Sequence, residues 1–186
     1  MTVAVLGAAV LTACNPGATN SSGAGGAGPA AGAAMKTLAL GQPSPGDQEI
    51  SRYGKTARFS ITPLKVKAGS HSDVRELGND PKYANKRLVW VYVHVRDVGG
   101  PTIKGPMVMT DIGVETSIGK ATRLILIGDL SSRPNDCVSE NPDLIWRKGN
   151  SWTACERYVI DANAKVTKIT YFQGYYNDPL KWTVTR

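Results

Sequence analysis

Twelve residues near the middle of the chain, KRLVWVYVHVRD at positions 86–97, limit the possible fold more than any other stretch. Val89, Val91, Val93 and Val95 occupy every second position, with Leu88, Trp90, Tyr92, His94 and Arg96 among the positions between and beside them. On a helix, successive residues turn by about 100°, which would scatter the four valines around the circumference; on a strand the two-residue period puts all four on one face. β-Branched side chains are also stiff at χ1 and pack well on a pleated surface. The segment therefore reads as a long strand with a buried valine face. Its second face, part aromatic and part polar, reads as outer or half covered. A lone strand leaves its backbone groups unpaired, so the rest of the chain has to supply a sheet.

Six further segments, at 57–66, 106–115, 121–130, 156–161, 165–172 and 181–185, are β-branched or aromatic and end near Gly, Pro, Asn or Asp. No stretch sustains a helical period. Asp161-Ala162-Asn163-Ala164 reads as a hairpin turn, Ile112-Gly113 as a bend, and 69–85 as a long loop with a helical turn. About seven short strands separated by turn signals predict an all-β fold, an antiparallel immunoglobulin-like β-sandwich over 50–186. That length suits one domain.

The amino-terminal third is of another kind. No charged residue occurs before Lys36, so all 22 Lys+Arg and all 15 Asp+Glu lie beyond that boundary. Positions 3–11 form a short apolar run, too short to span a bilayer but of signal-peptide length. It leads into Leu11-Thr12-Ala13-Cys14, which resembles the bacterial lipobox: Leu, a small residue, another small residue, then Cys. The resemblance implies cleavage after residue 13, a thioether-linked diacylglycerol on Cys14, and anchoring of the chain to a membrane at its extracellular face. Met1-Thr2 lacks the Lys or Arg with which signal peptides open, and an upstream start would complete the pattern. The alternative is a buried apolar helix with an incidental cysteine. Residues 14–49 are rich in Gly, Ala, Ser and Pro, without the apolar bulk to offset ordering entropy, and read as a flexible tether.

With Cys14 assigned to lipid, Cys137 and Cys155 remain as a pair. Outside the cytoplasm thiols oxidise, and a disulfide here would staple a segment rich in turn formers. A two-cysteine metal site is disfavoured because neither His71 nor His94 stands at finger spacing, and a reactive thiol because a thiol pair needs reducing conditions.

The lipobox and tether, the strand at 89–95 running into Asp97-Val98-Gly99-Gly100, then Met109-Thr110-Asp111-Ile112-Gly113, and finally 158–160 with 165–171 before Trp182, resemble a known family. It comprises the immunoglobulin-like domains of unknown function in Gram-positive, especially actinobacterial, surface lipoproteins, related in fold to a secreted mycobacterial antigen. Asp97 stands where that family usually has Asn. The resemblance implies an adhesive, binding or accessory role outside the membrane and no catalytic residues.

The residues themselves specify no reaction. A Ser-His-Asp set would have to draft His71 or His94 with Asp73 or Asp97, and nothing marks a nucleophile elbow. His71, Asp73 and Glu76 share a loop that reads as solvated, and no metal or cofactor is expected. Ser117-Ile118-Gly119-Lys120 has the Ser-x-x-Lys spacing of penicillin-recognising enzymes but lies between strands, without the helix that the spacing requires. Trp146, Trp152, Tyr175 and Tyr176, with Arg147 and Lys148, form the candidate binding surface, since aromatics stack on ligands and cations pair with acids. The formal charge of +7 is scattered, which favours weak attraction to polyanions and no specific nucleic-acid role. The expectation is a lipid-anchored, non-enzymatic module for a protein or anionic polymer of the cell envelope. The alternatives are a small-ligand carrier and, behind it, a serine-type envelope hydrolase.

Overall fold

The computed structural model describes residues 37–126, 128–175 and 177–185. Among these, twelve strands follow one another: β1 (Leu38–Ala39), β2 (Gln48–Arg52), β3 (Lys55–Ala68), β4 (Lys86–Gly99), β5 (Ile103–Lys104), β6 (Ile112–Thr116), β7 (Gly119–Lys120), β8 (Thr122–Arg123), β9 (Ile145–Trp146), β10 (Ser151–Asp161), β11 (Val166–Tyr171) and β12 (Leu180–Thr183). Seven of them have four residues or more. One sheet has the order β1-β12-β11-β6-β7, the second β2-β3-β4-β10-β8, and β5 pairs with β9 in a third. All pairings are antiparallel except that of β1 with β12. The fold is the expected all-β sandwich.

The strand at 86–97 is its centrepiece. Val89, Val91, Val93 and Val95 are buried in the main core, with Phe59, Ile61, Ile169 and Trp182. The opposite face is covered too: Leu88, Trp90 and Tyr92 are buried in a second cluster with Val74, Leu124, Leu130, Val159, Cys137 and Cys155. β4 is thus buried on both faces over its first half, although its sheet is antiparallel. The cover is the short helix α1 (His71–Arg75) together with residues 124–126 and 128–137.

Four expectations are corrected. The chain enters the fold before residue 50: Gly41 donates to the Pro63 carbonyl at 2.8 Å, Ser44 to that of Ile61 at 2.7 Å, and the Trp182 indole to that of Gln42 at 2.8 Å. Residues 161–164 form no hairpin, because β10 and β11 belong to different sheets and this turn carries the chain across the sandwich. Among the described residues of 121–130 only Thr122–Arg123 is strand; Leu124 still donates its amide to the Arg157 carbonyl of β10 at 3.1 Å, and Leu130, outside any ladder, is buried in the cluster with Leu88 and Trp90. In 106–115, Val108–Asp111 is a 3₁₀ turn, because the Glu140 carboxylate accepts from Val108 N at 2.6 Å and Met109 N at 2.9 Å and holds these amides out of any ladder. The amino-terminal residues, Cys14 among them, lie outside the described residues.

Candidate functional site: the loop end of the sandwich

The strand directions place several connections at one end. The β2–β3 turn is Tyr53-Gly54, β4 ends at Gly99 beside Arg58, and β10 begins at Ser151 opposite Arg96. Residues 171–174, at the end of β11, share a cavity of about 380 Å³ with Glu49, Ile50, Ser51 and Arg52. A second cavity of about 310 Å³ lies beside β6. The two adjoin along Thr110, Asp111 and Phe172, which line both. Together they make a shallow groove crossing from one sheet to the other.

Its chemistry is mixed. Asp111 is half-buried, and burial raises its carboxyl above the usual carboxylate range, with the charge of Arg123 opposing. Its carbonyl accepts from Phe172 N at 2.9 Å, which fixes the aromatic ring on the rim with half its surface exposed. Arg52 stacks over the Tyr53 ring, 5.4 Å from its centroid, and its Nε is buried without a partner. Tyr53 has a φ of +51°, a left-handed conformation that costs a bulky residue energy and holds its ring out in solvent. Lys104 pairs with Asp143 at 2.8 Å.

The sequence-chosen residues separate. Trp146 is only 2% exposed and meets Phe59 edge to face with centroids 5.7 Å apart, so it is core and contributes no surface. Trp152 is half-buried and packs against the main core. Arg147 and Lys148 are exposed on the turn before β10, and Tyr175, 88% exposed, stands in the loop after β11. Tyr176 lies outside the described residues. Asp97, fully buried, secures the Arg147 turn: its amide donates to the Asn150 carbonyl at 2.9 Å and its carbonyl accepts from Gly149 N at 2.8 Å. Its side chain accepts from Gly99 N at 3.0 Å while Oδ2 has no partner, and burial raises its pKa.

Other candidate groups hold the scaffold. Cys137 and Cys155 are joined, with Cα atoms 5.0 Å apart. Beside them Asp136 accepts from Lys65 at 2.8 Å and from the Tyr92 hydroxyl at 2.7 Å, and these bonds hold its carboxyl down at about 2. Glu76 accepts from Ser131 N at 2.6 Å and Ser132 N at 2.9 Å, tying the end of α1 to the covering loop. Asp73 caps α1 by accepting from Ser70 N at 2.8 Å. His94 Nδ1 lies 3.2 Å from the Thr153 hydroxyl. Ser117 accepts from Lys165 N at 3.1 Å, and Lys120 lies in β7, so this pair sits on the β6–β7 hairpin. Among the described residues no three His, Cys, Asp or Glu side chains gather as a metal site. Glu140, Asp111 and Phe172 are the residues that sequence reasoning missed as parts of this end; a strand pattern gives no signal for a carboxylate that caps a distant turn.

No family model matches the chain, and no curated protein matches it. Solved structures with a similar chain course include a secreted protein of Mycobacterium tuberculosis, MPT63, at 12% identity and a TM-score of 0.48, covering 82% of this chain and all of that one. A candidate lipoprotein of Staphylococcus aureus is similar at 11% identity and a TM-score of 0.45, covering 74% of this chain and 92% of that one. One of Bacillus subtilis is similar at 11% identity and a TM-score of 0.41, covering 76% of this chain but 38% of that one.

Proposed function

We propose that this protein is a lipid-anchored, extracytoplasmic binding module that engages a protein or anionic polymer of the cell envelope through its loop end and catalyses no reaction. The observation that carries this reading is the groove shared by Thr110, Asp111 and Phe172, with exposed Tyr53 and Tyr175 next in sequence to its lining residues Arg52 and Gly174, and exposed Arg147 and Lys148 on a turn at the same end of the sheet. Loops from both sheets converge there on a rigid scaffold, the usual arrangement for recognition. The Cys137–Cys155 bond supports a location where thiols oxidise. The lipobox resemblance supports anchoring through Cys14.

The test uses the full chain with Cys14→Ala, immobilised and exposed to envelope extract and to purified anionic wall polymer at low and high salt. Exposed charges are screened within about 8 Å at physiological ionic strength, so binding through scattered cations fades with salt while groove-mediated binding persists. Salt-resistant binding lost in Phe172→Ala or in Arg147→Ala/Lys148→Ala supports the reading. Binding unaffected by either variant removes the loop end, and labelling of Ser117 by a serine-hydrolase probe, abolished in Lys120→Ala, overturns the non-enzymatic part.

A further inference from the structure

At the opposite end of the sandwich a cleft of about 360 Å³ opens between the two sheets. Val89 forms its buried floor; Val66, Val166, Leu40 and Val184, half-buried, form its walls; Leu64, 40% exposed, stands at its mouth. The opening has a local cause. β3 is out of step with β4 between Pro63 and Lys65, so Leu64 is an extra residue without a partner across the ladder. Pro63 has no N–H to give, and such a bulge bends a strand and re-aims its side chains.

The charge of the cleft is one-sided. No acidic residue lines it, and its two cations are Lys65 and Arg87. The Lys65 ammonium is taken up on the outer face, 2.8 Å from Asp136 and 4.3 Å from the centre of the Tyr92 ring. Arg87 is different. It gives Nη2 to the Ala164 carbonyl at 2.7 Å, its Nε is buried without a partner, and no carboxylate among the described residues comes within ion-pair distance. A half-buried guanidinium beside an apolar slot calls for an anion with an apolar tail, because a carboxylate can take the Nη N–H groups left over from the Ala164 bond in a charge-assisted bond while the tail covers the valines. The volume is at the low end of the range for ligand cavities, enough for one chain and not two.

We propose that this cleft binds a single-chain fatty acid, with the carboxylate on Arg87 and the alkyl chain between Val66, Val166 and Val184. The site is at the far end from the groove, so the two readings stand or fall separately. The probe is dodecanoate, titrated calorimetrically below its micellar concentration into the full chain with Cys14→Ala. Saturable 1:1 binding is expected. Dodecan-1-ol and the Arg87→Gln variant should each weaken it roughly 10–100-fold, the range for a hydrogen bond to a charged group. Val184→Trp should abolish it by filling the slot. Leu64 is solvent-accessible, so Leu64→Glu should preserve the melting temperature yet repel the carboxylate. Absence of binding by dodecanoate, equal affinity for dodecan-1-ol, or full affinity in Leu64→Glu overturns the proposal. Binding by the Cys14→Ala chain but not by the natively processed one also overturns it, and points to the protein's own acyl group as the occupant.

Discussion

Replacing both Cys137 and Cys155 by Ala isolates what the covalent link contributes. The bond joins residues 18 apart, and the chain-entropy relation gives about 3 kcal/mol for a closed loop of this size. Both cysteines are buried against Leu88, Trp90 and Tyr92, so the voids left by two sulfur atoms add to that loss. For a fold of about 150 residues, roughly 2–4 °C of melting temperature accompanies each kcal/mol, which gives a fall of about 6–12 °C by circular dichroism. Hydrogen exchange locates the change. The Cys155 amide donates to the Val138 carbonyl at 2.8 Å, and that bond together with the amides of Ser131 and Ser132 should lose protection before the β3–β4 ladder does. A melting temperature within about 2 °C of the parent, with those amides still protected, would refute the reasoning: Asp136, Glu76 and the leucines would then hold the cover unaided.

Trp146→Ala should cost about 3–5 kcal/mol in urea unfolding, the range for emptying a buried aromatic site, because Trp146 packs on Phe59 in the core. Glu140→Ala strips two fully buried amides of their acceptor and should cost about 2–6 kcal/mol, with Glu140→Gln losing less because one carbonyl oxygen remains. Two carboxyls tilt the pH dependence in opposite senses. Asp136 is held at about 2 against an ordinary 3.8, so its contribution is present above about pH 4 and is lost as pH falls toward 2; Asp136→Asn should flatten that acid limb in urea midpoints. Asp97 is raised, so its contribution is complete below its ordinary value and is lost as pH rises through the folded value; Asp97→Asn should remove that decline.

The sandwich was legible because its strongest signal is geometric: a period of two in the valines of β4 admits no other backbone. Where side chains obey that period the strand expectations hold, as for β3, β11 and β12. Where apolar residues serve another purpose they mislead. Leu124 and Leu130 stand in a stretch of strand-like composition, yet past the Leu124 amide their burial comes from joining the cluster of Leu88, Trp90 and Tyr92, an arrangement with no periodic signature. The turn at 161–164 has hairpin composition, but turn residues fix a reversal of direction and not the sheet to which the next strand belongs. The candidate surface suffered in the same way. Aromatic composition cannot separate Trp146, which fills the core beneath Phe59, from Tyr175, which stands in solvent, because both satisfy local preferences and only tertiary packing divides them.

The covering of the second face of β4 also bears on where function can reside. An antiparallel sheet can leave one face to water, and Leu88, Trp90 and Tyr92 would then be an exposed patch inviting association. Residues 124–126 and 128–137 close it, and Asp136, Glu76, Arg133 and the disulfide serve to keep that cover in place. Arg133 gives Nε to the Cys137 carbonyl at 2.6 Å and Nη1 to Asp129 at 2.6 Å, so this side chain ties the loop to itself. A face sealed by a buried disulfide and by Leu124 and Leu130 in the same cluster resists opening, because exposing it would return these apolar side chains to water. The two ends are under no such constraint. At one, loops from both sheets leave Phe172 half-exposed and Tyr53 and Tyr175 in solvent; at the other, the bulge in β3 leaves half-buried valines beside the Arg87 guanidinium. Both proposed recognition sites accordingly lie at the ends of the sandwich, where side chains are left exposed, and not on its sealed faces.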